Sequence, residues 1–453
     1  MDAIPRGLPE GPALRCVAST LGPRVTFSQK FTADRADLIA APPEAAGAPG
    51  LALHVRRATG ARVIDVDGNS YLDLCMGYGA QLLGHDHPAV AQALTEQIAA
   101  GWQPGLPDEN HIELARLIQA AGPANQRVSF CASGSDAVLL AMRAARAVTG
   151  KDVVGVFAGS FHGLHDYGLV SGEPDQAQGF GLTRKVHLGA GIPRAIDQAV
   201  SVLPYGHPAA FDLIRRQRAE LAAVVVEAVR ANDPHLDAGS WLQELQGVCR
   251  HAGVLLILDE TTTGFRLAYG GAQEVFGLAP DLVTYGKAVG GGLPLGVVAG
   301  RADVMRVFAG EAGTPAIFAA SGFAGNALSM AASVATLEFA ATNRHRLYPY
   351  LDARARQLAE GFAVTAADLG LSAAVRRAGS LIRITLGQNY ERETPTDLRR
   401  HEDRFAALAL QQGLLLQAGL RGCLAYAHTP EDVDQMVIDL GAALSELQAE
   451  GAR

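Results

Sequence analysis

Cysteine is scarce in this chain of 453 residues, and its five cysteines are scattered without the close pairing that zinc sites and disulfide frameworks require. We therefore expect a reducing compartment, the cytoplasm. An excess of positive charge is also missing. The 38 basic residues face 46 acidic ones and form no basic run, which argues against nucleic acid or an anionic membrane surface as a partner. No stretch approaches the roughly 20 apolar residues that cross a bilayer.

Three familiar site motifs are missing as well. Gly286-Lys287-Ala288 lacks the Ser/Thr and the upstream glycine of a P-loop, and no Gly-x-Ser-x-Gly elbow of an α/β-hydrolase occurs. His85 and His87 are two residues apart, but the sequence places no third ligand near them. A structural turn is the favoured interpretation of this histidine pair, and we predict no metal site.

Three apolar runs between residues 222 and 285 are the most informative feature that is present. They end close to Glu227, Asp259 and Lys287. Such runs are typical of parallel strands buried on both faces, and ligands of such sheets bind beyond the carboxyl ends of the strands. If each residue is considered alone, the two acids are best interpreted as helix caps and the lysine as a solvated loop residue. Taken together, an acid for a pyridine nitrogen and a lysine for a Schiff base indicate pyridoxal phosphate.

The segments around two of these residues carry a family resemblance. Asp259-Glu260-Thr261-Thr262-Thr263-Gly264-Phe265-Arg266, followed by Thr284-Tyr285-Gly286-Lys287, resembles the class III aminotransferases of pyridoxal phosphate fold type I. The pattern is closest to glutamate-1-semialdehyde aminomutase and its relatives, over roughly residues 50 to 445. The resemblance implies an α/β fold, with a large domain on a mainly parallel sheet and a smaller α+β domain. It also implies a homodimer with a shared active site.

The order of segments along the chain predicts three parts. Residues 1–106 form an N-terminal arm and a hairpin that contribute to the small domain. Residues 107–327 alternate helical and apolar segments, as a parallel sheet requires, and form the large cofactor-binding domain. Residues 328–453 form the C-terminal small domain. The hairpin is predicted within residues 63–74, around an Asp-Gly turn.

A phosphate site is predicted at Ser133-Gly134-Ser135, which precedes a helical run. Helix N-termini bind anions, although a serine there is by itself an ordinary helix cap. The segment is similar to the family's phosphate segment. Where the family has a threonine that reaches the partner subunit's phosphate site, this chain has Gly322, and Ser321 or backbone N–H groups are the candidates to replace it.

Further ring contacts are implied by the resemblance alone. Phe161 stands where the family usually has a tyrosine that stacks on the pyridine ring, and His162 follows it. Thr261 is expected on the other ring face. Glu227 and Asn232 are expected at the ring, with Asn232 reaching its hydroxyl group, although the residues between them depart from the family pattern.

The resemblance implies that Lys287 holds the cofactor and later moves a proton, while Asp259 keeps the pyridine nitrogen protonated. Tyr78 is expected to line the substrate pocket. Relatives bind the substrate carboxylate with an N-terminal arginine, but residues 38–43 contain none. We therefore expect an aminotransferase that uses a small amino donor and a keto or aldehyde acceptor, the acceptor an amino sugar or specialised metabolite. The alternatives are an aminomutase of the glutamate-1-semialdehyde type and a non-catalytic cofactor-binding protein.

Overall fold

The structure, a computed structural model, describes residues 53–174, 183–311, 313, 315–387 and 395–451. The arm predicted before residue 53, with its segment 38–43, lies outside these residues. The strands are β1 (Val55–Thr59), β2 (Arg62–Asp65), β3 (Ser70–Asp73), β4 (Arg127–Cys131), β5 (Val153–Phe157), β6 (Val170–Pro174), β7 (Thr183–His187), β8 (Val200–Leu203), β9 (Leu221–Val226), β10 (Leu255–Glu260), β11 (Leu282–Tyr285), β12 (Gly296–Gly300), β13 (Ala374–Ala378), β14 (Leu381–Thr385), β15 (Leu414–Leu415) and β16 (Arg421–Cys423).

Helices alternate with the strands of the large domain and dominate the C-terminal part. No helix in the described ranges is both long and apolar enough to cross a membrane. The α-helices are α1 (Pro88–Ala100), α2 (Glu109–Ala120), α3 (Gly134–Thr149), α4 (Ile196–Ala199), α5 (Ala209–Gln217), α6 (Gly239–Ala252), α7 (Gly271–Phe276), α8 (Ala302–Ala309), α9 (Ala327–Thr342), α10 (Arg344–Asp368), α11 (Pro395–Gln411) and α12 (Pro430–Gly451), and short 3-10 helices lie at Met76–Gly79, Asp166–Leu169 and Lys287–Gly290.

The central sheet has seven strands in the order β4-β12-β11-β10-β9-β5-β8. From β8 to β11 all neighbouring strands are parallel, whereas β12 is antiparallel to β11 and to β4. Every residue of β9 is buried, as expected for a strand covered on both faces. The predicted α/β fold with a mainly parallel sheet is confirmed. The carboxyl ends of β5, β9, β10 and β11 therefore lie along one edge.

The predicted hairpin is present as the antiparallel pair β2 and β3, with Gly68 in its turn at a φ of 90°. Near the other end of the chain, β15 pairs in parallel with β3. Leu72 and Leu74 accordingly share one apolar core with residues of α10, α11 and α12. The proposed domain boundaries stay a prediction, and α9, which they assign to the small domain, packs in a core that includes Tyr285 of the large sheet.

Candidate active site

Strand order brings the three polar residues of the opening pattern to one edge of the sheet. Asp259 lies near the end of β10 and is in register with Thr284 of β11, three positions before Lys287. Glu227 follows directly after β9, which pairs with β10. Because these strands run in parallel, their ends place an acid, a second acid and a lysine around a common space.

Asp259 is buried and is held by hydrogen bonds on both carboxylate oxygens. Its Oδ2 lies 2.8 Å from Nδ1 of His162, and its Oδ1 accepts the backbone N–H of Thr261 at 3.0 Å. Burial by itself raises the pKa of Asp259, but the bond to His162 and that residue's charge lower it overall. The same pair raises the pKa of His162 against the effect of burial. The site therefore favours a carboxylate next to a protonated imidazole.

Lys287 begins the 3-10 helix after β11, at a φ of 50° that non-glycine residues rarely adopt. Its Nζ donates a hydrogen bond to Oγ1 of Thr262 at 2.7 Å. Burial lowers the pKa of Lys287, whereas the charges of Glu227 and Asp259 raise it. The net pKa is lower than that of a free lysine, so the neutral, nucleophilic amine forms more readily.

Glu227 is joined to the turn after β5. Its carboxylate is buried and accepts the backbone N–H of Phe161 at 3.3 Å. Burial raises the pKa of Glu227, and the charge of His162 opposes that rise. The Phe161 residue itself is about half exposed, at 47 %. Its ring is therefore available to a planar ligand at the strand ends, as stacking requires.

The predicted phosphate segment lies where α3 begins. Oγ of Ser133 accepts the backbone N–H of Asp136 at 3.2 Å and so caps the helix. Oγ of Ser135 accepts the backbone N–H of Leu164, which ties the segment to the turn that carries Phe161. A methyl group added to Gly134 would lie 2.6 Å from Cγ2 of Thr261. Only glycine at this position allows the helix start to approach the strand ends so closely.

The side of the site that faces the small domain carries positive charge. Arg421 of β16 stands directly opposite Arg383 of β14, and Arg383 forms an ion pair with Glu402 at 3.1 Å. Arg421 donates to Oδ1 of Asn232 at 2.8 Å and to the carbonyl of Ala418 at 2.9 Å. Among the described residues no carboxylate is hydrogen-bonded to Arg421. The charge of Arg421 also acts to lower the pKa of Lys287, after the larger effects of burial and of the two acids.

A buried arginine joins the two sides of the site. Arg266 is only 1 % exposed, and its Nη2 donates to the carbonyl of Gly79 at 2.7 Å. Its Nη1 donates to Oγ of Ser380 and to the carbonyl of Leu424 in the small domain. Gly79 follows Tyr78, the predicted pocket residue, which has a φ of 57° and is 45 % exposed. Arg266 thereby fixes the segment that carries Tyr78.

These residues fit pyridoxal phosphate. In the described part of the chain, Nε2 of His162 and Oγ of Ser160 are buried without a hydrogen-bond partner, an arrangement that a polar ligand would relieve. A lysine of lowered pKa stands beside a buried carboxylate, and an open helix start lies next to both. Lys287 would hold the cofactor aldehyde and Asp259 its pyridine nitrogen, with Ser133-Gly134-Ser135 at the phosphate.

Some predicted contacts stay predictions. Asn232 is exposed and bonds to Arg421, so its contact with the ring hydroxyl is untested. Ser321 and Gly322 are exposed, and the carbonyl of Gly322 accepts a hydrogen bond from Gln103. No hydrogen bond of the described residues joins Ser321 or Gly322 to the strand ends, and the phosphate contact proposed for them requires a second subunit.

The histidine pair has other partners than a metal ion. Nε2 of His85 lies 2.8 Å from Oδ2 of Asp73, and the ring of His87 packs edge-on against Phe339. These contacts agree with a structural turn.

Three important residues were not identified from the sequence. Thr262 lies inside the quoted motif, two positions before Gly264, and its spacing from Asp259 was the available signal. Arg266 ends the same motif. Arg421 had no local signal, because its place opposite Arg383 arises only from the pairing of β14 with β16.

The comparisons with known proteins agree with this site. Residues 44–444 match the family model for class-III aminotransferases. Among curated proteins, the chain is 39 % identical to glutamate-1-semialdehyde 2,1-aminomutase of Thermomicrobium roseum, over 86 % of this chain and 90 % of that protein. It is 35 % identical to the enzyme of the same name from Archaeoglobus fulgidus, over 85 % of this chain and 90 % of that protein.

Solved structures of a transaminase and an aminomutase also superpose on this chain. An omega-transaminase from Sphaerobacter thermophilus superposes with a TM-score of 0.87 at 29 % identity, covering 93 % of this chain and 98 % of the other. A glutamate-1-semialdehyde aminomutase from Pseudomonas aeruginosa superposes with a TM-score of 0.79 at 26 % identity, over 94 % and 95 % of the two chains. The chain is therefore an enzyme of the class-III aminotransferase family, which has fold type I and uses pyridoxal phosphate.

Proposed function

We propose that this enzyme is an aminomutase of the glutamate-1-semialdehyde 2,1-aminomutase type, which moves an amino group between neighbouring carbons of one substrate. The observation that carries this proposal is the identity of 33–39 % with aminomutases over more than four fifths of the chain. This was the alternative of the sequence analysis, and it has more support than the aminotransferase interpretation that was placed first. The missing arginine that argued against it concerns residues 38–43, outside the described residues.

The cofactor side of the site supplies the chemistry common to both interpretations. When bound, pyridoxal phosphate withdraws electrons from the substrate carbon that carries the amine. Asp259, held by His162, keeps a negative charge at the end of β10, where it would retain a proton on the pyridine nitrogen. Lys287, once free of the cofactor, carries the proton between the two reacting carbons as a general base and acid.

The substrate side indicates a molecule with a carboxylate group. Arg421 has a planar guanidinium group with only neutral hydrogen-bond partners among the described residues, and it faces Arg383 across the strand pair. A substrate carboxylate would supply the missing negative charge through a two-point contact with Arg421. Tyr78, on the segment that Arg266 holds through the carbonyl of Gly79, would line the same pocket.

The test is incubation of the enzyme, loaded with cofactor, with glutamate-1-semialdehyde and no other amine or carbonyl compound. We expect the isomer whose amine has moved from carbon 2 to carbon 1. The Lys287→Ala variant should fall below about a thousandth of the wild-type rate, because it loses its general acid and base. Repeated turnover by that variant would overturn the assignment of Lys287.

Transfer between two molecules is the second candidate, favoured by the higher TM-score with the omega-transaminase. The same experiment separates the two candidates. An aminotransferase would leave glutamate-1-semialdehyde unchanged until a separate amino donor or acceptor was added, and it would then release a second product. Dependence of turnover on both partners would replace the aminomutase proposal with this one.

We also propose a homodimer. Large apolar side chains are exposed before α2, after Phe161 and before α9, and exposed apolar patches usually mark an interface. Light scattering should give twice the mass of one chain, and Phe323→Asp should reduce that mass to one chain. A monomeric wild-type enzyme would exclude the dimer. The exposed side chains are Trp102, Leu106, Leu164, Phe318 and Phe323.

A further inference from the structure

Thr262 is the one side chain in the described structure that is hydrogen-bonded to the amine of Lys287. Oγ1 of Thr262 accepts from Nζ at 2.7 Å, a short bond for an amine donor. The neighbouring threonines are used differently, because Oγ1 of Thr263 donates to Glu260 and Cγ2 of Thr261 packs against Gly134. Within the described residues, the hydroxyl of Thr262 is hydrogen-bonded to Lys287 and to no other side chain.

The hydrogen bond to Thr262 matters because it fixes the free end of the Lys287 side chain. The residue has a left-handed backbone, which fixes the start of its side chain. Its Cδ lies 3.9 Å from the position that a Cβ atom on Gly79 would take, so the middle of the side chain passes close to Gly79. The bond to Thr262 fixes the remaining end, where long lysine side chains otherwise move freely.

We propose that Thr262 is a positioning residue that stabilises Lys287 in its released form, when the amine is not joined to the cofactor. This inference rests on the proposed role of Lys287. Attachment forms a C=N bond between Nζ and the aldehyde carbon and releases one water, whose two hydrogens leave the neutral amine. Thr262 then loses its donor. The threonine thus favours the free amine, which is the form that must move the substrate proton.

Loss of the Thr262 hydroxyl should increase the affinity of the protein for pyridoxal phosphate. Thr262→Val keeps the shape of the side chain but removes the acceptor, so it destabilises the free amine and leaves the attached form unchanged. Pyridoxal phosphate should bind the valine variant about tenfold more tightly, the effect of one lost hydrogen bond to an amine. An amino donor should need about tenfold higher concentration to release the lysine. Thr262→Ser, which keeps the hydroxyl, should behave as the wild type.

The measurement is titration of the cofactor-free protein with pyridoxal phosphate, followed by its near-visible absorbance. Thr365→Val is the matched control. Oγ1 of Thr365 donates to the carbonyl of Gly361 within α10, and no other hydrogen bond of this hydroxyl occurs among the described residues, so the change should leave the affinity unaltered. The valine change is repeated in the Lys287→Ala background, with noncovalent binding followed by calorimetry. There it should have no effect, because the amine is absent.

Each outcome decides the proposal. Equal or weaker cofactor binding by Thr262→Val overturns it and would show that the hydroxyl serves the attached lysine or only the packing. Tighter binding that persists in the Lys287→Ala background overturns it too, because the effect would not pass through the amine. If wild-type protein gave no absorbance change with the cofactor, the proposed role of Lys287 would fail first, which is a separate result.

Discussion

The two sides of the active site differ in how their charges are satisfied. On the cofactor side, Asp259 and His162 are buried and bonded to each other, and Lys287 is bonded to Thr262. On the substrate side, Arg421 stands opposite another arginine and bonds to neutral groups near the surface. On the first side the buried acid and histidine are paired with each other, whereas on the second side Arg421 has only neutral hydrogen-bond partners among the described residues.

This difference separates the residues that act in every reaction of the enzyme from the residues that select its substrate. Charges that are buried must be paired inside the protein, so their geometry is fixed before any ligand arrives. Charges with only neutral partners gain most when an anionic ligand binds. We therefore expect changes on the cofactor side to reduce every reaction of the enzyme, and changes on the substrate side to discriminate among substrates.

Among variants that keep Lys287, the largest effect should come from Asp259→Asn. The variant keeps the shape of the side chain but removes the negative charge that would hold a proton on the pyridine nitrogen. It also breaks the ion pair with His162, which is buried. We expect kcat to fall by about 10²- to 10³-fold, as for other losses of a preorganised charge at a reacting centre. The measurement is turnover at saturating cofactor.

Asp212→Asn is the control for that change, because Asp212 is an exposed acid on α5 that pairs only with Arg215 in the described structure. It should retain full activity. A kcat of Asp259→Asn within threefold of wild type would mean that this acid does not act on the cofactor. The cofactor side would then be no more essential than the substrate side.

The cofactor side could be predicted from sequence because its residues follow apolar runs. In a parallel sheet the end of each strand is fixed relative to its neighbours, so Glu227, Asp259 and Lys287 had to meet once the runs were recognised as strands. The pairing of His162 with Asp259 was not foreseen, since it depends on the path of the turn after β5.

The substrate side could not be predicted in this way. Arg421 meets Arg383 only because β16 pairs with β14 in one particular register. A shift of that register by one residue would turn Arg421 to the opposite face of the sheet. Short strands of the small domain carry no pattern that fixes such a register, and the contact of Arg421 with Asn232 adds a loop from the other domain.

A smaller and more selective effect is expected from Arg421→Gln. Loss of a charged hydrogen bond to a carboxylate should raise the KM for a carboxylate substrate by about 10- to 100-fold. The kcat should change much less, since the cofactor side is intact. With an amine that lacks the carboxylate, wild type and variant should have equal KM values. Steady-state kinetics with the paired substrates measure the difference.

Arg376→Gln is the matched control for the arginine change. Arg376 lies on β13, which pairs with β14 on the side away from β16, and it forms an ion pair with Asp233 while its side chain is 52 % exposed. Its loss should leave the KM of the carboxylate substrate within about twofold of wild type, as usual for an exposed ion pair. Equal KM changes in both variants would indicate a general field of positive charge and would remove Arg421 from the carboxylate site.

The smallest effect, a shift in pH dependence, should come from Glu227→Gln. The charge of Glu227 raises the pKa of Lys287, so removing it lowers that pKa further. Only the neutral amine attacks the cofactor aldehyde, and attachment therefore increases as the pH rises through the pKa of Lys287. In the variant this increase should occur at lower pH, whereas Glu173→Gln, an exposed acid paired with Arg184, should not move it. An unchanged pH dependence would mean that Glu227 is already protonated when the lysine titrates, and the negative charge on the cofactor side would then belong to Asp259 alone.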